Sequence, residues 1–329
     1  MKKLNLLIIL ILCLLIGAGP ANAVIKKLAQ TGLQFLKVDM SARAAAMGGS
    51  YIMVGYDASG MFYNPAGLAK MQKKYDVFAS MTQWIADIKY TAAGAAVNLG
   101  NWGTVGVSFV TSDYGDDIIG TMVATSVKGF VETGNLTTSA YAIGLSYARS
   151  LTDKFSIGGQ IKYCHQQLGS NILTAGGSKV DNVVNGLAYD IGTIFYPGLK
   201  SLRFGMAVRN YSPTFKYRQE AFQLPMNFII GTAMDILDVM GEHKNPLILS
   251  FDYHHPRDFT ERMHVGAEYT LFDILSLRAG YKFNYDEESV TAGVGVQKEF
   301  SGLKVNLGYA YGSFGEFDMV NRIEVGLSF

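Results

Sequence analysis

Five histidines, His165, His243, His254, His255 and His264, are the side chains of this sequence best suited to proton transfer or metal binding. His254 and His255 are consecutive in an extended stretch, so they point to opposite faces and cannot hold one metal together. His264 falls with the small and polar residues of its segment. No serine stands where it could give up a proton to that ring, so no Ser–His nucleophile forms. Carboxylates cluster at Asp113, Asp116 and Asp117, and again at Asp286, Glu287 and Glu288. Both clusters fall in connections, where solvated charge is the plain reading and calcium the minority one. The glycine run "GSYIMVG" lacks the strand–loop–helix setting that phosphate needs. These residues predict no enzyme, no metal site and no cofactor.

The elements that carry them alternate with period two. Leu303, Val305, Leu307, Tyr309 and Tyr311 share one face, and Lys304, Asn306, Gly308, Ala310 and Gly312 the other. Leu275, Leu277, Ala279, Tyr281 and Phe283 repeat the pattern against Ser276, Arg278, Gly280, Lys282 and Asn284. Each segment reads as a strand with one apolar face. Fourteen such segments run from about residue 74 to 329.

Residues 1–23 read as a secretory signal peptide: Lys2 and Lys3, an apolar run from Leu4 to Ile16, and Ala21-Asn22-Ala23 before the cut. Cleavage there leaves Cys164 as the lone cysteine, so no internal disulfide can form. Lys and Arg number 28 against 27 Asp and Glu, which gives no reason to expect a nucleic-acid partner. Mean hydropathy is +0.16 with 17% charged residues, yet beyond the leader no apolar run approaches the roughly 20 residues of a membrane helix. The other structure a bilayer accepts is a closed β-barrel.

Connection lengths support a membrane barrel. Turns at Gly100-Asn101, Leu151-Thr152 and Ser301 are tight, and those at 112–135, 166–182 and 212–223 are long. Outer-membrane barrels show this asymmetry between periplasmic turns and outer loops. An even strand count predicts two periplasmic termini in the outer membrane of a diderm bacterium. The apolar face then meets outer-membrane lipid, and nineteen Tyr and nineteen Phe suit interfacial girdles. Phe329 ends the chain on that face, as a signal for the barrel-assembly machinery would. Inward charges pair by register. Folding about Asp273 sets Glu268 opposite Arg278, and folding about Arg257 sets Asp252 opposite Arg262, each pair contributing about 0.2–1 kcal/mol.

Residues 24–73 precede the first strand and include "DMSARAAAMGGSYIMVGYDASGMFYNPAGLAK". Asn64 can cap a helix and Pro65 suits its first position. Small side chains allow close packing inside a crowded lumen, so this stretch is expected to plug the barrel formed by 74–329. Arg43 is the only charge between Asp39 and Asp57 and needs a partner if buried.

The order of motifs here resembles one family. Ser41-Ala42-Arg43-Ala44-Ala45-Ala46-Met47-Gly48-Gly49, then Asp57-Ala58-Ser59, then Asn64-Pro65-Ala66-Gly67-Leu68-Ala69 is similar to the N-terminal signature of the PorV/PorQ family. That family is a branch of the FadL-like outer-membrane barrels. "FDYHHPRDFTERMHVGAEY" and "LSLRAGYKF" resemble its later strands. The resemblance implies an all-β, fourteen-stranded antiparallel barrel whose N-terminal hatch, with short helices, plugs the lumen. It implies a role in type IX secretion, with partners among the C-terminal signal domains of secreted cargo or other secretion components. The alternative it carries is passive transport of a hydrophobic small molecule.

Overall fold

A computed structural model describes residues 31–115, 118–172, 178–218, 220–241 and 244–329. The expected signal peptide, Asp116, Asp117 and His243 lie outside the described residues.

Among the described residues, fourteen antiparallel strands close into one barrel. They are β1 (Tyr75–Gln83), β2 (Lys89–Asn98), β3 (Thr104–Asp113), β4 (Thr138–Ser150), β5 (Phe155–Ile172), β6 (Lys179–Phe195) and β7 (Arg203–Tyr211). The second half is β8 (Asn227–Asp235), β9 (Leu247–Pro256), β10 (Arg262–Leu271), β11 (Leu275–Phe283), β12 (Glu288–Phe300), β13 (Leu303–Phe314) and β14 (Phe317–Ser328). Chain neighbours pair throughout, and β14 returns to β1 from Asp76↔Ser328 to Gln83↔Asn321. Closure removes the sheet edges, which is what allows strands to sit in lipid.

The period-two pattern sets the faces. In β11, Leu275, Leu277, Tyr281 and Phe283 are exposed while Ser276 and Lys282 are buried. In β14, Ile323 and Val325 point out, and Arg322 and Ser328 point in. The apolar face is the outer one, as a bilayer requires.

One end of the barrel carries short turns, such as 151–154, 272–274 and 301–302. The other carries 114–137, with a hairpin of Ile119–Val123 against Phe130–Asn135, and 212–226. The stretch 166–182, expected as a loop, is mostly strand: β5 and β6 reach 18 and 17 residues and still pair at Ser170↔Asp181. The apolar alternation stops where lipid would end, but backbone pairing continues in water.

The register corrects one expected pair. Asp252 stands opposite His264, and Arg262 opposite His254, so Asp252 and Arg262 do not meet. The turn is centred on Asp258 and not on Arg257. Arg257 N still donates to Met226 O at 2.9 Å, which keeps it in the ladder. Asp258 instead turns its carboxylate to Thr31 and Lys37.

Residues 31–74 cross the lumen. Thr31 pairs with Gln223 at the long-connection end, and Lys70 Nζ reaches Asp153 O in a short turn at the other. An even strand count alone would put both ends of the chain on one side. This extra crossing places Thr31 opposite Phe329, whose backbone bonds Tyr75 at the short-turn end.

Candidate functional site: the N-terminal segment and its seat on the wall

The segment is built from short elements that present backbone to the wall. Ser41 caps α1 (Ala42–Ala46), accepting from Ala44 N at 3.2 Å. Its alanines are small enough for the helix to lie flat against the strands, where Thr291 Oγ1 donates to Ala46 O at 2.9 Å. Met47 ends the helix, fully buried. Gly48 and Gly49 follow at φ 66° and 77°, a turn that a side chain would strain. The backbone there lies directly on β10 and β11. A Cβ at Gly266 would come 2.5 Å from Met47 O, and one at Gly280 would overlap Gly48 N.

Beyond the turn the wall supplies acceptors and donors. Asp252 Oδ2 accepts from Tyr51 N at 2.8 Å and Ile52 N at 3.2 Å. Ser50 and Ser250 hydroxyls meet at 2.8 Å, and Arg203 Nε donates to Met53 O at 2.6 Å. Asp57 caps the 3-10 helix Ala58–Phe62, accepting from Ser59 N at 3.0 Å.

Asn64 caps as its residue type predicts, but the element is a 3-10 helix, Pro65–Lys70. Its Oδ1 accepts from Ala66 N at 3.1 Å, while Nδ2 donates to Ile52 O at 3.0 Å and to Thr193 O on β6 at 3.2 Å. Pro65, Ala66 and Gly67 are buried, and Gly67 lies too close to Gly55 O to admit a side chain. Asn64→Ala removes a cap and two bonds to buried carbonyls. The expected local loss is about 2 kcal/mol. Amide exchange over 52–68 should then speed up about thirtyfold, since 1.4 kcal/mol is tenfold.

Arg43 leaves α1 toward β10. Its Nε and Nη2 donate to the two oxygens of Glu268 at 2.7 and 2.6 Å, a bidentate pair. Glu268 also accepts from Arg278 Nε at 2.6 Å, its cross-strand neighbour. Asp57 stands 3.9 Å from Arg43 on the far side. One buried carboxylate thus joins segment and wall.

Nearer the long-connection end, Asp39 meets Lys282 at 3.0 Å and its carbonyl accepts from Arg322 Nε. Burial alone would raise the Asp39 carboxyl, but Lys282 and Arg322 hold it below the usual 3.8. Asp258, in the connection after β9, behaves alike: burial opposes ionisation, and the bond and charge of Lys37 press it below 3.8. A depressed carboxyl stabilises above its unfolded pKa, and that contribution is lost as pH falls through the folded value. Exchange over residues 32–38, corrected for intrinsic rate, should therefore speed up from pH 5 to pH 3.

Among the described histidines, His165 lies between Ser139 Oγ, 3.4 Å from its Nε2, and Asn185 Oδ1, 2.7 Å from its Nδ1. His264 Nε2 meets Tyr285 OH at 2.8 Å and its ring lies 3.9 Å from that of His254. His255 is exposed on the outer face beside Glu261. Among the described residues, no group of three His, Cys, Asp or Glu could hold a metal ion. The acceptor role of Asp252 and the closeness of the wall glycines escape sequence reasoning. Inward parity was the only signal for either.

A closed antiparallel barrel with an apolar exterior and an occupied lumen defines an outer-membrane β-barrel. Residues 22–251 match the profile of the family described as "Type IX secretion system protein PorV", and the chain belongs to that family. No curated protein matches the sequence. Among solved structures, the Ralstonia pickettii toluene transporter TbuX is 13% identical, with TM-score 0.54, over 88% of this chain and 98% of that one. The Pseudomonas putida toluene transporter TodX is 11% identical, with TM-score 0.55, over 92% and 99%. A Pseudomonas aeruginosa FadL homologue is 11% identical, with TM-score 0.53, over 93% and 99%. At these identities the likeness is one of fold.

Proposed function

We propose that this protein is a non-enzymatic docking or shuttle component of a type IX-like secretion system in the outer membrane. It receives cargo by C-terminal signal domains, or engages other secretion components, at the long-connection end. The observation that supports this most is membership of the PorV family over residues 22–251. Residues 24–73 act as a plug, held by Arg43 on Glu268, by Asp252 under Tyr51 and Ile52, and by Asn64 between Ile52 and Thr193. The turn Met47-Gly48-Gly49 and the block Asn64-Pro65-Ala66-Gly67 shape that plug to the wall, and Asp57 flanks Arg43. Passive transport of a hydrophobic molecule is the second reading, supported by the FadL-like resemblance and by fold likeness to the toluene transporters.

Phe329 serves as the terminal signal for the barrel-assembly machinery. Its ring lies tilted against that of Tyr75, 5.2 Å between centroids, and is half exposed, so folding alone does not demand it. Deleting Phe329 should lower the yield of folded barrel in the outer membrane while leaving refolding in detergent intact. Equal yields in cells would remove that role.

The docking role is tested by affinity capture from detergent-solubilised outer membrane. Cargo signal domains or secretion components should co-purify. Recovery of lipid-like ligands without protein partners would favour transport instead.

A further inference from the structure

A cavity of about 300 Å³ lies at the long-connection end, between residues 34–39 and the wall. Its charges do not cancel. Lys37, Lys282, Arg209 and Arg262 line it against Asp39, Asp258 and Glu288, which leaves one positive charge in excess. The three carboxylates are already engaged by the lysines: Asp258 by Lys37 at 2.9 Å, and Asp39 and Glu288 by Lys282 at 3.0 and 2.5 Å.

The two arginines have no such acceptor among the described residues. Arg209 lies over the Tyr63 ring at 5.3 Å, and Arg262 between Phe259 at 4.2 Å and Tyr285 at 3.8 Å. The Nε of each is buried without a hydrogen-bond partner. Register links them into one arc. Arg209 stands opposite Asn227, Asn227 Nδ2 donates to His254 Nδ1 at 2.9 Å, and His254 stands opposite Arg262. With Nδ1 accepting, His254 carries its proton on Nε2. That atom is buried and unpartnered in a residue 5% exposed. Three donors on one cavity wall therefore lack acceptors, and buried donors left unmatched are costly.

We propose that this cavity binds a small hydrophilic monoanion, a short-chain carboxylate, whose oxygens accept from Arg209, Arg262 and His254 Nε2. The guanidinium forks suit carboxylate geometry, the single excess charge suits a monoanion, and the volume sits at the small end of ligand sites. The proposal does not depend on the docking role.

Calorimetry on the full-length folded barrel in detergent, with butyrate and butan-1-ol as probes, tests it. Butyrate should bind about tenfold or more tighter than the alcohol, the expected worth of charge-assisted bonds. Arg209→Gln with Arg262→Gln should weaken butyrate binding by about the same factor. If that double variant does not fold, the comparison of the two probes on the unaltered protein decides alone. Butan-1-ol binding as tightly as butyrate, no butyrate binding, unchanged butyrate binding in a folded double variant, or inorganic phosphate binding more tightly than butyrate would each overturn the proposal.

Discussion

Gly280→Ala should leave the barrel closed and push the N-terminal segment off its seat. The added Cβ would overlap Gly48 N and the Met47 carbonyl carbon, which are backbone atoms with no rotamer to change. The turn they belong to is itself fixed by two successive positive φ values. The strand cannot yield either, because Gly280 is laddered to Gly266 and to Thr291. Overpacking of this kind costs about 1–3 kcal/mol or more, and here loosening the segment is the cheapest relief. Single-channel conductance in planar bilayers should rise, with the heat-modifiable folded form retained. Gly326→Ala is the matched control, since a Cβ there meets nothing nearer than 3.5 Å. Equal conductance in the two variants would mean that residues 31–74 do not close the lumen.

Glu268→Ala should cost more than Arg43→Ala. From sequence alone the charge at risk is Arg43, isolated among alanines. The geometry reverses the weighting. Glu268 is the shared acceptor of Arg43 and Arg278, so its loss leaves Arg278 without its bonded carboxylate and Arg43 with only Asp57 at 3.9 Å, at about 3–5 kcal/mol. Removing Arg43 leaves the Glu268–Arg278 pair intact at 2.6 Å, and Arg43 itself keeps 24% of its side chain exposed. Its loss should cost about 1.5–3 kcal/mol, the range for bonds to a charged group. Urea titration of tryptic protection at residues 31–74 reads both. Equal losses would show that Arg278 does not hold Glu268 once Arg43 is gone.

Strand positions were legible because lipid imposes one requirement on every strand: an apolar residue at alternate positions. Leu275 to Phe283 states it plainly. The pattern failed where lipid ends, at Gln166 to Ile172, because polar residues on both faces hide a strand that water accepts. Registers within one hairpin depend on the turn centre, and a shift of one residue there moved Asp252 from Arg262 to His264. Turn centres are set by tertiary contacts, here Lys37 and Thr31 on Asp258, which no local pattern announces. The same reason hides the seat of the segment. Asp252, Gly266 and Gly280 could be read as inward-facing, but not as the places where Tyr51 N, Met47 O and Gly48 N would come to rest.

The docking role is tested most directly in cells lacking this protein, by following a reporter that ends in a type IX C-terminal signal domain. The reporter should accumulate in the periplasm and reach the surface again when the intact chain is restored. A reporter that reaches the surface equally well without the protein, in cells that have lost uptake of a hydrophobic compound such as toluene, would contradict docking and establish transport.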